Sequence, residues 1–563
     1  MPFGIKRKDR ARHMYVIGKT GMGKSTLLEN MAIQDIRNGE GIAFIDPHGS
    51  TADRIMEYVP AHRVKDVVYF APFDMEHPVA FNVMEDVGYD KRHLVVSGLL
   101  SAFRKIWVDA WSARMEYILS NTLLALLEYE GATLLDVNRM LINKAFRKKV
   151  VENVKDPIVK SFWVDEFANY TDRYTQDATP AIQNKVGQFT SNPLIRNIVG
   201  QPKSSFDIRK LMDEKKILIM NLSKGRVGEV NATLLGSMLV TKIYLAAMSR
   251  ADVSLEVMNT LPNFYFYVDE FQNFANESFA DILSEARKYK LNLLIAHQYV
   301  EQMEEEVRDA VFGNVGTTVA FRVGPFDAEV LETIFNPQFT ATDLVNLGFA
   351  QIYLTLMIDG VGSPPFSATT LPPFDLPPER FVDRVLESSR STYGKPRAQV
   401  ERDIDEWHKV DPVVPDLSKP KKSYTATVRA TAPRVQTVPV PVAPAHPVHH
   451  PTPELKREVE ILHKAAAAPA VPRSEEPRGH SSSGEARRTP APAPQQQPQK
   501  PPLGGAKSLR EALAMATGKK AEIHAPDLKR TLGKVAPEAH KTPELSQEKI
   551  REMLAVEPFD DAA

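Results

Sequence analysis

The chain has 563 residues, 43% hydrophobic and 25% charged, with a formal net charge of −1. That is the make-up of an ordinary folded protein, and it excludes a polycation that coats nucleic acid by bulk charge. The absence of cysteine excludes disulfides, thiolate metal sites and cysteine nucleophiles. No signal peptide is recognisable and no run of about 18 apolar residues suggests a bilayer span, so the sequence reads as cytoplasmic, with peripheral docking at the inner face of a cell membrane left open.

Residues 1–90 begin with a basic lead-in, KRKDRAR (6–12), read as solvated charge or as a contact to a membrane surface. A strand, HMYVI (13–17), follows, then Gly18-Lys19-Thr20-Gly21-Met22-Gly23-Lys24-Ser25, and then an amphipathic helix, KSTLLENMAIQDIRN (24–38). This is G-x-x-x-x-G-K-[ST] in its proper strand–loop–helix setting. The glycines let the backbone curl so that successive N–H groups face a phosphate, and the helix start aims its positive dipole end at the same anion. Lys24 then neutralises the β- and γ-oxygens, and Ser25 is a ligand for Mg²⁺. The set expected to hold ATP is Gly18, Thr20, Gly21, Met22, Gly23, Lys24, Ser25 and Thr26. Two further strands, GIAFI (41–45) and DVVYF (66–70), are predicted. Asp46 and His48, in the turn IDPHG (45–49), either approach the nucleotide or a subunit interface or form a simple Pro/Gly turn.

Between about 91 and 200 the β signal vanishes, and segments such as 113–129 and 133–143 have helical spacing. This stretch reads as an all-α insertion. It carries two basic–aromatic clusters, FRKIW (103–107) and FRKKV (146–150). They could meet phosphates and bases, though such clusters are more often amphipathic helix faces with snorkelling cations.

The β signal returns over 201–375 with KILIMNL (216–222), FYFYV (264–268), LNLLIAH (291–297), TTVAFRV (317–323) and IYLTLM (352–357), and a helix is predicted over 231–248. Several strands are continuous apolar runs, as buried parallel strands should be. Asp269-Glu270 ends FYFYV, where a P-loop enzyme places a carboxylate for Mg²⁺ and a glutamate to polarise the attacking water. Gln298, just past LNLLIAH, suits contact with γ-phosphate or that water; His297 beside it reads as a packed residue. Residues 376–410 form a helical extension. The remainder, 411–563, holds 23 of the 42 prolines and too few large apolar residues to offset ordering entropy, so it reads as a disordered tail. Its amphipathic stretches 508–518 and 545–556 either fold on a partner or have no role.

The fold class is therefore α/β: a RecA-like P-loop NTPase of the additional-strand glutamate class, with an all-α insertion and a Pro-rich tail. The wording of several blocks, HMYVIGKTGMGKSTLLENM, IDPHG, NLSKGRVGE (221–229), FYFYVDEFQNFA (264–275), LSEARKYKLNLLIAHQY (283–299) and FRVGPFDAE (321–329), resembles the HerA–FtsK superfamily. Within it, the resemblance is closer to the coupling-protein and conjugation-type ATPases of type IV secretion systems, over roughly residues 3–375.

The resemblance implies a homo-oligomeric, hexameric ring with ATP at subunit interfaces and DNA in its channel, delivering DNA and a bound relaxase towards secretion-channel proteins. It assigns phosphate binding to Gly23, Lys24 and Ser25, Mg²⁺ and catalysis to Asp269 and Glu270, and γ-phosphate sensing to Gln298. A neighbour's arginine would complete the site, with Arg322 the first candidate and Arg287 the second; for either, a surface or structural role stays open. Rival readings are a HerA-like repair helicase, a secretion ATPase acting on protein, and a nucleotide-binding scaffold. Membrane-spanning helices usually precede the motor in coupling proteins, whereas here the P-loop begins at residue 18. That spacing suits either a natural soluble form or a true start upstream of Met1.

Overall fold

The structure is a computed structural model that describes residues 3–409, apart from 86 and 276. The Pro-rich segment, including 508–518 and 545–556, lies outside the described residues.

The strands are β1 (Met14–Ile17), β2 (Gly41–Asp46), β3 (Val67–Phe70), β4 (Ile217–Asn221), β5 (Phe264–Val268), β6 (Leu291–His297), β7 (Thr317–Ala320), β8 (Gln351–Thr355), β9 (Met357–Ile358), β10 (Val361–Gly362) and β11 (Phe366–Thr369). Nine of them form one sheet in the order β11-β8-β7-β1-β6-β5-β2-β4-β3. From β7 to β3 all pairs are parallel; β8 and β11 add an antiparallel edge. β9 and β10 form a separate hairpin.

The parallel strands are buried on both faces, which is why their sequences run apolar without a break. Alternate side chains divide between two cores. Met14, Val16, Phe44, Ile219 and Tyr267 pack beneath helix Lys24–Arg37 through Leu28, Ala32 and Ile36. Tyr15, Ile17, Ile45, Phe266 and Ile295 belong to the other core, which continues without a gap into the helices between β3 and β4. Helix Glu229–Met248 lies in this second core. The segment Glu229–Asp252 is long and apolar enough by composition to cross a membrane, contrary to expectation, but 67% of its apolar window is buried inside the protein.

The stretch between β3 and β4 is all helix, from Arg92–Ile106 to Pro193–Val199. Ser112, Asn143, Asp156, Thr171 and Asn192 each cap a helix there by accepting a first-turn N–H. After β11 the chain returns across the molecule. Helix Val382–Tyr393 packs on β3, where Ser389 Oγ accepts the Tyr69 N–H at 2.9 Å. Helix Arg397–His408 packs on the helical region, with Trp407 Nε1 donating to Asp136 at 3.1 Å.

The basic lead-in is paired with carboxylates of the fold, while Lys6, Arg7 and Lys8 keep solvent-exposed side chains. Arg10 makes a two-pronged pair with Asp35 (2.5 and 2.7 Å), whose other contact is the buried Tyr267 hydroxyl at 2.6 Å. Lys6 and Lys8 pair with Asp359, and Arg7 with Glu40.

Candidate nucleotide site

Register brings the candidate residues to one edge of the sheet. Ile17 pairs with His297 on one side and Ala320 on the other, while Val268 pairs with Ile295. The loops that follow β1, β5, β6 and β7 therefore leave the sheet side by side at its carboxyl edge, where open α/β sheets bind ligands. β6 separates the P-loop strand from the Asp269-Glu270 strand, which is the additional-strand order expected from the sequence.

The loop turns tightly against β7. A Cβ on Gly18 would come within 2.5 Å of Phe321 Cβ, so only glycine fits there. Gly23 starts helix Lys24–Arg37 at φ 114°, a conformation that L side chains rarely adopt, and offers no side chain to cap the first-turn N–H groups. Those donors, with the helix dipole behind them, make an anion seat. Lys24 is buried beside them and donates to the Gly18 carbonyl (2.7 Å) and, more weakly, to Lys19 (3.4 Å). Burial pulls its ammonium below the usual lysine range, and the charges of Glu270 and Asp269 work against that shift. Thr20 and Gly21 are exposed at the loop tip; Met22 packs at the edge of the first core, and Thr26 sits in the first helical turn.

Ser25 Oγ donates to Asp269 Oδ2 at 2.9 Å. Burial, then the charge of Asp46 and more weakly that of Glu270, pushes the Asp269 carboxyl up to about 6, against the Ser25 hydrogen bond and Lys24. Three acidic side chains thus crowd one lysine, a surplus of negative charge that a divalent cation would relieve. Among the described residues no cluster of three His, Cys, Asp or Glu side chains could hold a metal ion alone. That suits Mg²⁺, which takes one or two protein oxygens and completes its shell with water and phosphate.

Glu270 has a left-handed backbone (φ 49°, ψ 52°), costly for a non-glycine residue and held here by its surroundings. Both carboxylate oxygens are bound: Gln298 Nε2 donates to Oε1 at 2.5 Å and Gln272 Nε2 to Oε2 at 2.6 Å. Thr20 Oγ1 donates to Gln298 Oε1 at 3.1 Å, so the P-loop tip, Gln298 and Glu270 form one hydrogen-bonded chain.

Other candidates fall elsewhere. Asp46 is fully buried, and its carboxylate is taken up by the N–H groups of His48, Thr51 and Ala52 at 2.8–3.0 Å. It caps the turn into helix Ser50–Met56 and has no oxygen to spare; His48 is exposed. His297 is buried against Tyr15 and Phe271, and burial, with Lys24 and Lys105 adding to it, lowers its pKa to about 3. It stays neutral at pH 7, as a packed residue. Arg322 borders its own subunit's P-loop, its carbonyl accepting the Lys19 N–H at 2.8 Å. Arg287 is exposed in the turn before β6, so the length of that strand, roughly 20 Å, separates it from Gln298.

The aromatic rings of both basic–aromatic clusters face inward, while Lys148 and Lys149 are exposed. Phe103 and Trp107 are buried and stacked at 5.0 Å, Arg104 is paired with Glu116, and Lys105 reaches the loop after β5. Phe146 is buried, and Arg147 donates to the Met140 and Leu141 carbonyls and lies over Phe167. Their aromatic rings are not available to bases. Gln272 and the Lys224–Asn273 contact (2.6 Å) were not singled out by sequence reasoning, and Lys105 was noted only as part of FRKIW, not for this site. Gln272 could have been, two residues past Glu270; the lysines are brought in by tertiary packing alone.

A family model described as the type IV secretion-system coupling protein DNA-binding domain matches residues 2–332, more than half of the chain. The chain belongs to that family. No curated protein matches it. Among solved structures, this coupling-protein chain is similar to the bacterial conjugative coupling protein TrwBdeltaN70 in an unbound monoclinic form, at 13% identity and TM-score 0.48, covering 65% of this chain and 86% of that one. The plasmid coupling protein TrwB in complex with ADP and Mg²⁺ aligns at 14% identity and TM-score 0.48, covering 67% and 89%. VirB4 of Thermoanaerobacter pseudethanolicus aligns at 12% identity and TM-score 0.44, covering 62% and 87%.

Proposed function

We propose that the chain is an ATP-driven DNA translocase of type IV secretion or conjugation, in which ATP hydrolysis at the carboxyl edge of the sheet drives DNA transport. The observation that carries this reading is the placing of Glu270 between Gln298 and Gln272, beside Lys24, Ser25 and Asp269. A scaffold that only binds nucleotide has no use for a carboxylate held this way.

In this reading the first-turn N–H groups and Lys24 bind the phosphates, and Gly23 keeps the helix start open to them. Lys24 exchanges its present carbonyl partners for phosphate oxygens. Ser25 and Asp269 would hold Mg²⁺, which would supply positive charge to offset that of the transferred group. Glu270 orients the attacking water and takes its proton. Gln298 reports the phosphate state to the P-loop tip through Thr20. An arginine from a neighbouring subunit would complete the site in a hexameric ring, with Arg322 the first candidate and Arg287, exposed before β6, the second. DNA would be held by its backbone, largely independent of sequence and sensitive to salt. The motor would work at the cytoplasmic face of a secretion channel, receiving relaxase-bound DNA.

Steady-state ATPase of the full chain with Mg²⁺, with and without single- and double-stranded DNA, tests this. DNA-stimulated hydrolysis that is lost in Glu270→Gln supports it. Hydrolysis indifferent to any DNA would replace it with a secretion ATPase acting on protein.

A further inference from the structure

The turn that carries Glu270 is held from outside the α/β fold. Helix Arg92–Ile106 belongs to the helical region between β3 and β4, and Lys105 lies in its last turn. Lys105 Nζ donates to the Gln272 carbonyl at 2.7 Å and also to the Ala275 carbonyl. Phe103 and Trp107, buried and stacked on either side of it in sequence, fix the helix end. Gln272 is the residue whose amide binds Glu270 Oε2. Within the same turn, Asn273 Nδ2 binds the Glu270 carbonyl at 2.8 Å, and Lys224 Nζ binds Asn273 Oδ1 at 2.6 Å.

A lysine is an expensive way to fill this space. Burial pulls Lys105 down to about 8, with only the charge of Glu304 in its favour, and the same ammonium helps keep His297 neutral. A methionine of similar length would lose nothing to desolvation. What the lysine adds is donors for two carbonyls of the turn that supports a left-handed glutamate.

We infer that Lys105 is a positioning residue for hydrolysis: acting through Gln272, it holds the Glu270 carboxylate and ties the hydrolytic step to the placement of the helical region. The inference rests on the ATPase reading, but its structural half is independent of it. The helical region then needs no contact with nucleotide to govern turnover. A shift of helix Arg92–Ile106 withdraws the ammonium and frees the turn.

The test uses the full chain with Lys105→Met and Lys105→Arg. Lys105→Met should lower kcat roughly ten- to a hundred-fold, leave KM for ATP within about two-fold, and speed hydrogen exchange at the amides of 271–275. Lys105→Arg, which keeps charge and donors, should restore most of both. If Lys105→Met does not fold, Lys105→Gln, too short to reach both carbonyls, is read in the same way. Wild-type kcat together with wild-type exchange at 271–275 in Lys105→Met, or in Lys105→Gln where Lys105→Met does not fold, would overturn the inference. A wild-type chain that hydrolyses no ATP would sink the ATPase reading, while the exchange comparison would still decide whether Lys105 holds the turn.

Discussion

Two lysines flank Glu270, a buried one from the P-loop and a half-buried one from the helical region, and they differ in what their charge awaits. Lys24 rests on carbonyls of its own loop and faces Asp269 and Glu270, an arrangement that gains its full value only when phosphate arrives. Lys105 already has its partners, the carbonyls of Gln272 and Ala275, and faces no ligand. Burial lowers the pKa of both. The same chemistry thus serves binding at one end of the site and positioning at the other.

The contrast is sharpest in nucleotide affinity. Lys24→Met should weaken ATP binding by about 2–5 kcal/mol, the cost of truncating one partner of a desolvated charge pair, as read by titration with a fluorescent ATP analogue. In the nucleotide-free protein the same change should raise the melting temperature, because a charge buried at a cost is removed. A drop in both affinity and apo stability would mean that Lys24 also supports the fold.

Gln298→Leu comes next. It leaves Glu270 Oε1 without its amide and cuts the link to Thr20. We expect kcat to fall roughly ten-fold or more with binding retained, measured by steady-state ATPase alongside that titration.

Acidification probes the core under the site. His13 Nδ1 accepts the Leu293 N–H and Nε2 donates to the Leu283 carbonyl, both at 3.1 Å, so only the neutral ring fits. Burial lowers its pKa to about 4, and that of His297 to about 3. The unfolded chain takes up these protons first, near pH 6.5. Their contribution to stability is therefore present above about pH 6.5 and is lost as pH falls towards 4 and 3. Denaturant melts at pH 7 and pH 5 should differ by on the order of 2 kcal/mol per histidine. His13→Gln should flatten the dependence in part.

The smallest effect separates the helical region from DNA. Arg147 spends its guanidinium on the Met140 and Leu141 carbonyls. Arg147→Met should cost about 1 kcal/mol of stability and leave DNA affinity and its salt slope unchanged in a binding titration. A slope shallower by about one unit would instead place a phosphate contact there.

What was legible in the sequence follows this division. The P-loop is a local object: glycines at fixed spacing, a strand before and a helix after, so Gly18 to Thr26 could be read directly. The eight strands predicted from apolar runs are all present, because strands buried on both faces need such runs. β11 was missed: FSAT is short, half-exposed and pairs only along the antiparallel edge. FRKIW left two readings open because its composition is the same whether the cations face phosphate or the protein's own carbonyls. The order in which β6 separates β1 from β5 was implied by Gln298. The support that Lys105 gives the turn after Glu270 was not, since it joins residues 167 apart in sequence through packing, whereas Gln272 lies only two residues from Glu270.

The most direct test is movement itself. A biotinylated DNA end blocked with streptavidin, in single- and double-stranded form, reports whether ATP hydrolysis by this chain drives DNA past a fixed point. Streptavidin should be displaced by the wild type with ATP and Mg²⁺ and not by Glu270→Gln, although the variant still binds ATP. ATP hydrolysis at a normal rate with no displacement on either DNA would contradict the account.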